Sequence, residues 1–140
     1  MNVDFIYNTD FKLNNEFETT QWINAFCKSE GFSIDSLVFA FFNDKELKDL
    51  NIRFLNHDYF TDVISFDESY DGFVKGNIAI SIDRVKENAS EFSCSFDDEL
   101  RRVIIHGVLH FMGFRDKTDD EKKKIRAKEN SAIEMFHVKR

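Results

Sequence analysis

The chain has 140 residues, of which 42% are hydrophobic and 17 are phenylalanine, and it contains no proline. This length and composition predict a single domain over residues 1–140 with a core of ordinary size, and the net charge of −7 argues against a general nucleic-acid binder. Two isolated cysteines exclude a disulfide framework, and without a signal-peptide pattern or an apolar run of roughly 18 residues we expect a cytoplasmic protein without a membrane span.

In the first half of the chain, strand and helix patterns alternate. Residues 3–7 are a predicted strand, and residues 15–28 are a predicted helix with one apolar face. Residues 37–42 form a continuous apolar and aromatic run, which favours a strand covered on both faces. A buried helix is the alternative for this run, although it is short for a helix. Asn43 then caps a short predicted helix.

The second half continues the alternation. Residues 63–66 and 77–82 are predicted strands joined by a polar stretch that contains glycine, and a short helix is expected after them. Ser95 and Thr118 are each followed three residues later by an acidic residue, which is a capping pattern that opens a helix. Strands interleaved with helices predict an α/β (α+β) fold, with a small, mostly parallel mixed sheet and helices packed on it.

Two histidines lie in the most apolar part of the chain. Residues 103–112 contain no ionisable side chains other than His106 and His110, and a helix of this composition is buried. Histidines four residues apart lie on one face of a helix, about one turn from each other. Burying two imidazoles without partners is costly. The pattern therefore indicates either core histidines bonded to backbone carbonyls or a metal site.

The residues that follow favour the metal. Gly113 stands where a helix end needs a residue that tolerates positive φ. A turn there brings Asp116 back toward the imidazoles. Two nitrogens and a carboxylate oxygen are the usual protein ligands of a catalytic zinc, with water in the fourth place. We therefore predict that His106, His110 and Asp116 bind one Zn²⁺ ion at the end of a buried helix.

The same spacing occurs in the metzincin peptidases, with one difference. Those enzymes carry a glutamate directly after the first histidine as general base, whereas this chain has Gly107 at that position. Without this carboxylate, a water that attacks a peptide bond lacks its proton acceptor. A metallopeptidase is therefore the disfavoured interpretation.

Three sequence blocks match one family signature in content and order. The segment from His106 to Asp116 resembles His-Gly-x-Leu-His-Leu-x-Gly-Tyr-Asp-His. Residues 61–66 resemble the end of Pro-Thr-Asp-Val-Leu-Ser-Phe, and residues 76–81 resemble Gly-Asp-Ile-x-Ile-Ser. Together the blocks resemble the YbeY family, which comprises bacterial metal-dependent endoribonucleases.

The resemblance implies a single-strand-specific, metal-dependent endoribonuclease that acts in 3′-end maturation of 16S rRNA and in ribosome quality control. It also implies partners, namely precursor rRNA and the small ribosomal subunit or its associated proteins. The alternative is a ribosome-associated factor with a structural metal and weak or absent cleavage activity. A fourth coordination position open to water would favour the enzyme, and a fourth protein ligand would favour the structural factor.

Two departures from the family pattern affect the mechanism. Asp116 stands where the family usually has histidine, which adds a negative charge to the site and makes the ion a weaker Lewis acid. Leu55 stands where the family usually has an arginine associated with RNA cleavage. Phosphodiester cleavage needs positive charge on its transition state. We predict that Arg115, next to Asp116, supplies it as a catalytic residue.

Positive charge is concentrated in the same third of the chain. Residues 95–140 hold 11 Lys and Arg against 9 Asp and Glu, whereas residues 1–94 hold 8 against 17. The basic cluster near the histidines consists of Arg101, Arg102, Arg115, Lys117 and the lysines at 122–124. It either follows a phosphate backbone or, for the lysine run, forms the solvated face of a C-terminal helix. Asp58 and Asp62 are candidates for positioning roles, while the other two histidines, at positions 57 and 137, are expected at the surface.

Overall fold

A computed structural model describes residues 2–138, and none of the helices in that range is both long and apolar enough to cross a membrane. The sheet has the order β1-β2-β4-β3, in which β1, β2 and β4 are parallel and β3 is antiparallel to β4. This confirms the predicted α+β class with a mostly parallel mixed sheet. In chain order the elements are β1 (Val3–Tyr7), α1 (Glu16–Ser29), β2 (Ser33–Phe42), α2 (Asp44–Leu55), β3 (Val63–Asp67), β4 (Phe73–Ser81), α3 (Ile82–Glu91), α4 (Phe96–Phe111) and α5 (Asp119–Val138).

The predicted elements are present, and the differences lie at their ends. β2 begins at Ser33 and β4 begins at Phe73, each four residues before its predicted start. These two extensions pair with each other, Ser33 with Phe73 and Ile34 with Val74. Backbone pairing of this kind does not depend on the apolar pattern of the sequence. The first four residues of each strand were therefore not predicted.

Helix starts follow the predicted caps. The side chains of Asn43 and Ser95 each accept a hydrogen bond from the backbone N–H three residues later. At Thr118 the capping box is complete: its hydroxyl accepts from the Glu121 N–H at 3.1 Å, and the Glu121 carboxylate accepts from the Thr118 N–H at 3.0 Å. Fixed starting points set the rotation of α4 and α5, and with it the direction of every later side chain.

The main core lies between α4 and one face of the sheet. Leu37, Phe39 and Phe41 of β2 and Ile78 and Ile80 of β4 point into it and are fully buried. Burying each such side chain contributes about 1.5–3 kcal/mol. Most of α4 is buried against this face, as its apolar composition predicts.

The opposite face of the sheet is covered in part by α2. Leu47 of α2 packs there with Ile64 and Ala79 in a smaller cluster. The alternate side chains of β2 at positions 38, 40 and 42 lie on this face and are half-buried. The strand over residues 37–42 is thus confirmed. Its predicted coverage on both faces is wrong for the face toward α2, which is covered only in part.

Helix α5 is anchored to α1 through an indole. The Nε1 of Trp22 donates a hydrogen bond to the carbonyl of Ala132 at 2.7 Å, and its ring meets Phe136 edge-on with centroids 5.6 Å apart. Ile125 is buried on the same face of α5. Glu129 lies between these apolar positions, so that the anchor also fixes where its carboxylate points.

Two glycines allow close approach to β4. A Cβ at Gly107 of α4 would lie 2.9 Å from Cδ1 of Ile78. A Cβ at Gly76 of β4, where φ is +156°, would lie 2.3 Å from the carbonyl oxygen of Phe66 and 2.8 Å from Cζ of Phe111. Position 107 therefore faces the sheet, without room for the glutamate that a metzincin peptidase carries there.

Gly76→Ala is expected to lower the free energy of unfolding by about 3 kcal/mol or more, because the new methyl group meets a backbone carbonyl that cannot rotate away. Gly31→Ala is the control, since Gly31 has φ +84° but nothing within 4 Å of an added Cβ; only about 1–2 kcal/mol of backbone strain is expected there. Urea unfolding measures both. Equal losses in the two variants would show that close approach at Gly76 is not the cause.

Candidate metal centre

Helix α4 and the turn after it bring the three predicted ligands together. The Nε2 atoms of His106 and His110 lie 2.9 Å apart. Oδ2 of Asp116 lies 3.2 Å from the first and 3.4 Å from the second. The side chains are half-buried, between 25% and 40% exposed, so that the cluster sits at the rim of the core with one side open.

The turn that returns Asp116 depends on Gly113. Its φ of +98° lies in the left-handed region that favours glycine. The Gly113 N–H donates to the carbonyl of His110 at 3.0 Å, and the Phe114 N–H donates to that of Leu109 at 3.0 Å. The predicted helix end is confirmed, and the chain reverses within a few residues of it.

Hydrogen bonds on the far side of each imidazole determine which nitrogen carries the proton. Nδ1 of His110 lies 3.0 Å from the carbonyl oxygen of Phe114, which can only accept. Nδ1 of His106 lies 2.6 Å from Oε2 of Glu129, and an ionised carboxylate also only accepts. In the neutral imidazoles both Nε2 atoms therefore present lone pairs, facing each other and Asp116 with no hydrogen between them. Such a cluster suits a bound cation.

The spacing of the three donor atoms suits zinc. Zinc binds histidine nitrogen and carboxylate oxygen at about 2.0–2.2 Å, usually with tetrahedral geometry. Tetrahedral ligands at that distance stand roughly 3.3 Å from one another, close to the 2.9–3.4 Å separations seen here. Two imidazoles with one carboxylate are also a donor set found in catalytic zinc sites.

Glu129 holds the first histidine from behind. It is 3% exposed; one carboxylate oxygen accepts from His106, and the other accepts from Nη1 of Arg102 at 3.1 Å. A carboxylate in this position orients a ligand imidazole and raises its basicity. Sequence reasoning missed Glu129, although a carboxylate inside the apolar stripe between Ile125 and Ala132 was a visible sign of it.

Burial and carboxylate partners shift the pKa values of the groups around the cluster. Burial raises the pKa of Asp62, against the opposing charge of His106. Burial likewise raises the pKa of Glu99, against the charge of Arg102. Burial alone lowers the pKa of His106, but the hydrogen bond and charge of Glu129 outweigh it, so that this pKa is raised. The two carboxylate shifts therefore follow from burial, whereas the shift of His106 follows from its carboxylate partner Glu129.

Two cavities adjoin the ligand cluster. The first has a volume of about 400 Å³; His106 and Asp116 line it together with the cations of Arg102, Lys122 and Arg126. The second has a volume of about 340 Å³ and is lined by all three ligands and by the loop after α2. Basic side chains therefore reach the site from α4 and α5.

Some residues of the predicted basic cluster contribute to helix packing, and others line the first cavity. Arg101 stacks on Phe136, with its guanidinium 3.7 Å from the ring centroid, and pairs with Asp98 at 2.8 Å. This contact serves the α4–α5 packing. Lys122 lines the first cavity, whereas Lys124 is exposed on α5 and does not line it.

Arg115 is exposed and lines neither of the two cavities. A backbone hydrogen bond from Thr118 lowers the pKa of Glu121, and the charge of Arg115 adds to this effect. Leu55 lines the second cavity. The predicted catalytic role of Arg115 stays a prediction, and sequence reasoning missed Arg126, which lies one turn beyond Lys122 on α5.

Of the two carboxylates proposed for positioning roles, one lines the site and the other is exposed. Asp62 lines both cavities, with Oδ2 3.3 Å from the side-chain nitrogen of Asn88. The Asp58 side chain is 79% exposed. His57 and His137 are both exposed, as predicted, but His57 also lines the second cavity.

Comparisons with known proteins extend the likeness to nearly the whole chain. A family model described as Endoribonuclease YbeY matches residues 6–137. A protein of Flavobacterium johnsoniae named Endoribonuclease YbeY is 41% identical over 97% of this chain and 98% of its own. One of the same name from Christiangramia forsetii is 44% identical over 97% and 95%. A solution structure of a Thermotoga maritima protein matches with TM-score 0.73 and 26% identity, over 98% of this chain and 90% of that one.

His106→Ala and His110→Ala are each expected to abolish stoichiometric zinc binding, because two remaining ligands rarely hold the ion. Asp116→Ala is expected to weaken binding strongly, and Asp116→His to restore or tighten it. Metal analysis of the purified variants measures all four. Normal zinc content in Asp116→Ala would show that the third ligand is misassigned.

Glu129→Gln is expected to lower zinc affinity about 10- to 100-fold, because an amide raises the basicity of His106 less than a carboxylate does. Competition with a chromophoric chelator measures the affinity. Glu134→Gln is the matched control, since Glu134 lies on α5 with its side chain exposed. If both variants bind zinc as tightly as the parent, Glu129 does not support the ligand.

Proposed function

The chain belongs to the endoribonuclease YbeY family, and we propose that it cleaves single-stranded RNA at a zinc ion held by His106, His110 and Asp116. Membership identifies it as an enzyme that hydrolyses RNA phosphodiester bonds. The natural substrate that we propose is the 16S rRNA precursor, cleaved during 3′-end maturation and ribosome quality control. Its proposed partners in the cytoplasm are the small ribosomal subunit or proteins associated with it.

The observation that supports the metal assignment is the pair of facing Nε2 lone pairs, 2.9 Å apart beside a carboxylate. A zinc ion bound there supplies a Lewis acid that polarises a phosphoryl oxygen and lowers the pKa of a water. Glu129 and the carbonyl of Phe114 hold the two imidazoles in the required tautomer and orientation.

The number of ligands favours the enzyme over a factor with a structural metal. In the described part of the chain, the group of three or more metal-ligating side chains whose donor atoms all lie within 4.8 Å of one another is His106, His110 and Asp116. Three protein ligands leave a fourth position for water or substrate, as in catalytic zinc sites. The peptidase alternative is disfavoured further, because Gly107 faces Ile78 across a contact that excludes a glutamate.

The first cavity supplies the positive charge that phosphodiester cleavage needs. Arg102 is held between two carboxylates, with Glu129 at 3.1 Å and Glu99 at 3.7 Å. Arg126 is 56% exposed and stands 3.7 Å from Glu129, so that its guanidinium retains donors for a phosphate. Cavity geometry thus favours Arg126 as the cation that stabilises the transition state, alongside the sequence-based candidate Arg115.

The zinc-loaded protein is expected to cleave a labelled single-stranded RNA and to stop when a chelator removes the ion, whereas a duplex of the same sequence is expected to resist. Gel electrophoresis of the products measures both. Cleavage that persists in the chelator, or equal cleavage of the duplex, would contradict the proposal. His106→Ala is the control that separates loss of the site from an effect of the chelator on the RNA.

The same assay separates the two arginines. Arg126→Ala is expected to lower the rate roughly 100-fold with unchanged zinc content, as for loss of one transition-state donor. Lys124→Ala, a charge deletion on the exposed side of α5, is the matched control. A large loss in Arg115→Ala together with a normal rate in Arg126→Ala would favour the sequence-based assignment over the cavity-based one.

A further inference from the structure

The second cavity differs in chemistry from the first. It is lined by the ligand cluster, by Leu55 at the end of α2, and by His57 and Tyr59 of the loop that follows α2. Among the described residues that line it there is neither lysine nor arginine. The two sides of the site therefore differ in what they offer an RNA strand: the cations line the first cavity, and the side chains of His57 and Tyr59 line the second.

Two rings that line the second cavity form a stacked pair. The centroids of His57 and Tyr59 lie 5.2 Å apart with an angle of 17° between the planes. The Tyr59 hydroxyl lies 2.9 Å from Nδ1 of His57, which ties the rings together. Tyr59 is 53% exposed, so that a large part of its ring is open to a further stacking partner.

A buried amide holds the pair in place. The Asn51 side chain is 1% exposed, and its Nδ2 donates to the carbonyl of Tyr59 at 3.1 Å. The carbonyl of Asn51 accepts from the N–H of His57 at 3.1 Å. With both ends of this short loop bonded to α2, the rings are positioned before any ligand arrives, which lowers the entropic cost of binding.

We propose that the His57–Tyr59 pair is a stacking subsite for one unpaired nucleobase of the RNA strand whose phosphate reaches the ligand cluster. This rests on the proposed function and names how its substrate is held. Single-stranded RNA is bound by stacking exposed bases on aromatic side chains, whereas bases within a duplex have both faces covered. The subsite thus gives a physical reason for single-strand specificity.

The subsite also explains the residue at position 55. An arginine there would place a cation beside the stacked rings, in a cavity whose described lining contains neither lysine nor arginine. Leu55 instead offers an apolar surface beside the rings. We infer that phosphate binding lies on the side of Arg126 and base binding on the side of Leu55, so that the strand crosses the metal ligands between them.

Binding of a short single-stranded oligonucleotide with 2′-O-methyl sugars to the zinc-loaded protein tests the proposal. Fluorescence anisotropy measures the affinity, and gel electrophoresis checks that the oligonucleotide stays intact. Tyr59→Ala is expected to weaken binding roughly 10- to 100-fold, the range found when one stacked base loses its ring. Tyr59→Phe keeps the ring and is expected to bind within a few-fold of the parent. Tyr70→Ala is the control, since Tyr70 is an equally exposed tyrosine on the β3–β4 connection.

A set of oligonucleotides with a single abasic position identifies the stacked base. At one position the abasic change is expected to weaken binding to the parent about as much as Tyr59→Ala does, and to have no further effect on that variant. In RNA cleavage, Tyr59→Ala is expected to raise KM while kcat and zinc content stay near those of the parent.

Equal affinity of Tyr59→Ala and parent would overturn the subsite, and so would abasic effects that add fully to Tyr59→Ala at every position. A lower affinity caused by misfolding is recognised by an altered melting temperature or zinc content. In that case, the affinity of Tyr59→Phe and the abasic series measured on the parent determine whether the subsite exists. Failure of the parent to cleave RNA would instead overturn the proposed function.

Discussion

The site depends on what each imidazole binds on the side away from the cluster. The carbonyl of Phe114 accepts a hydrogen bond from Nδ1 of His110, and Glu129 accepts one from Nδ1 of His106, so that the two Nε2 atoms face each other 2.9 Å apart with their lone pairs. The carboxylate of Asp116 adds further electron density within 3.4 Å. Repulsion of this kind is poorly screened in a half-buried setting, and a cation removes it. The hydrogen bonds of the folded chain therefore prepare an ion site in advance.

The rest of the fold keeps those hydrogen bonds in place. α4 carries both histidines and lies against β4 at the contact between Gly107 and Ile78, which sets the depth of the helix. α5 delivers Glu129, and the hydrogen bond from Trp22 anchors that helix to α1. The turn after Gly113 supplies the remaining acceptor and ligand. The ligands themselves lie close together in the sequence, but the contacts that support them come from distant parts of the chain that must pack correctly.

The ligand cluster could be predicted from the sequence because it is local. Helical spacing places His106 beside His110, and a glycine at the helix end returns Asp116 a few residues later. Glu129 and Arg126 reach the site only through packing of α5 on α4; the apolar stripe of α5 places Glu129 on its buried face, but local spacing does not say what that face packs against. The same holds for β2 and β4, whose first residues are fixed by pairing with each other. Arg115 shows the converse: proximity in sequence to a ligand does not place a side chain in the cavity.

X-ray absorption at the zinc edge of the stoichiometrically loaded protein tests the central claim most directly. The account predicts four-coordinate zinc with two imidazole nitrogens at about 2.0–2.1 Å and two oxygens, one from Asp116 and one exchangeable with solvent. A sulfur ligand, a third imidazole or a shell without imidazole would contradict the account.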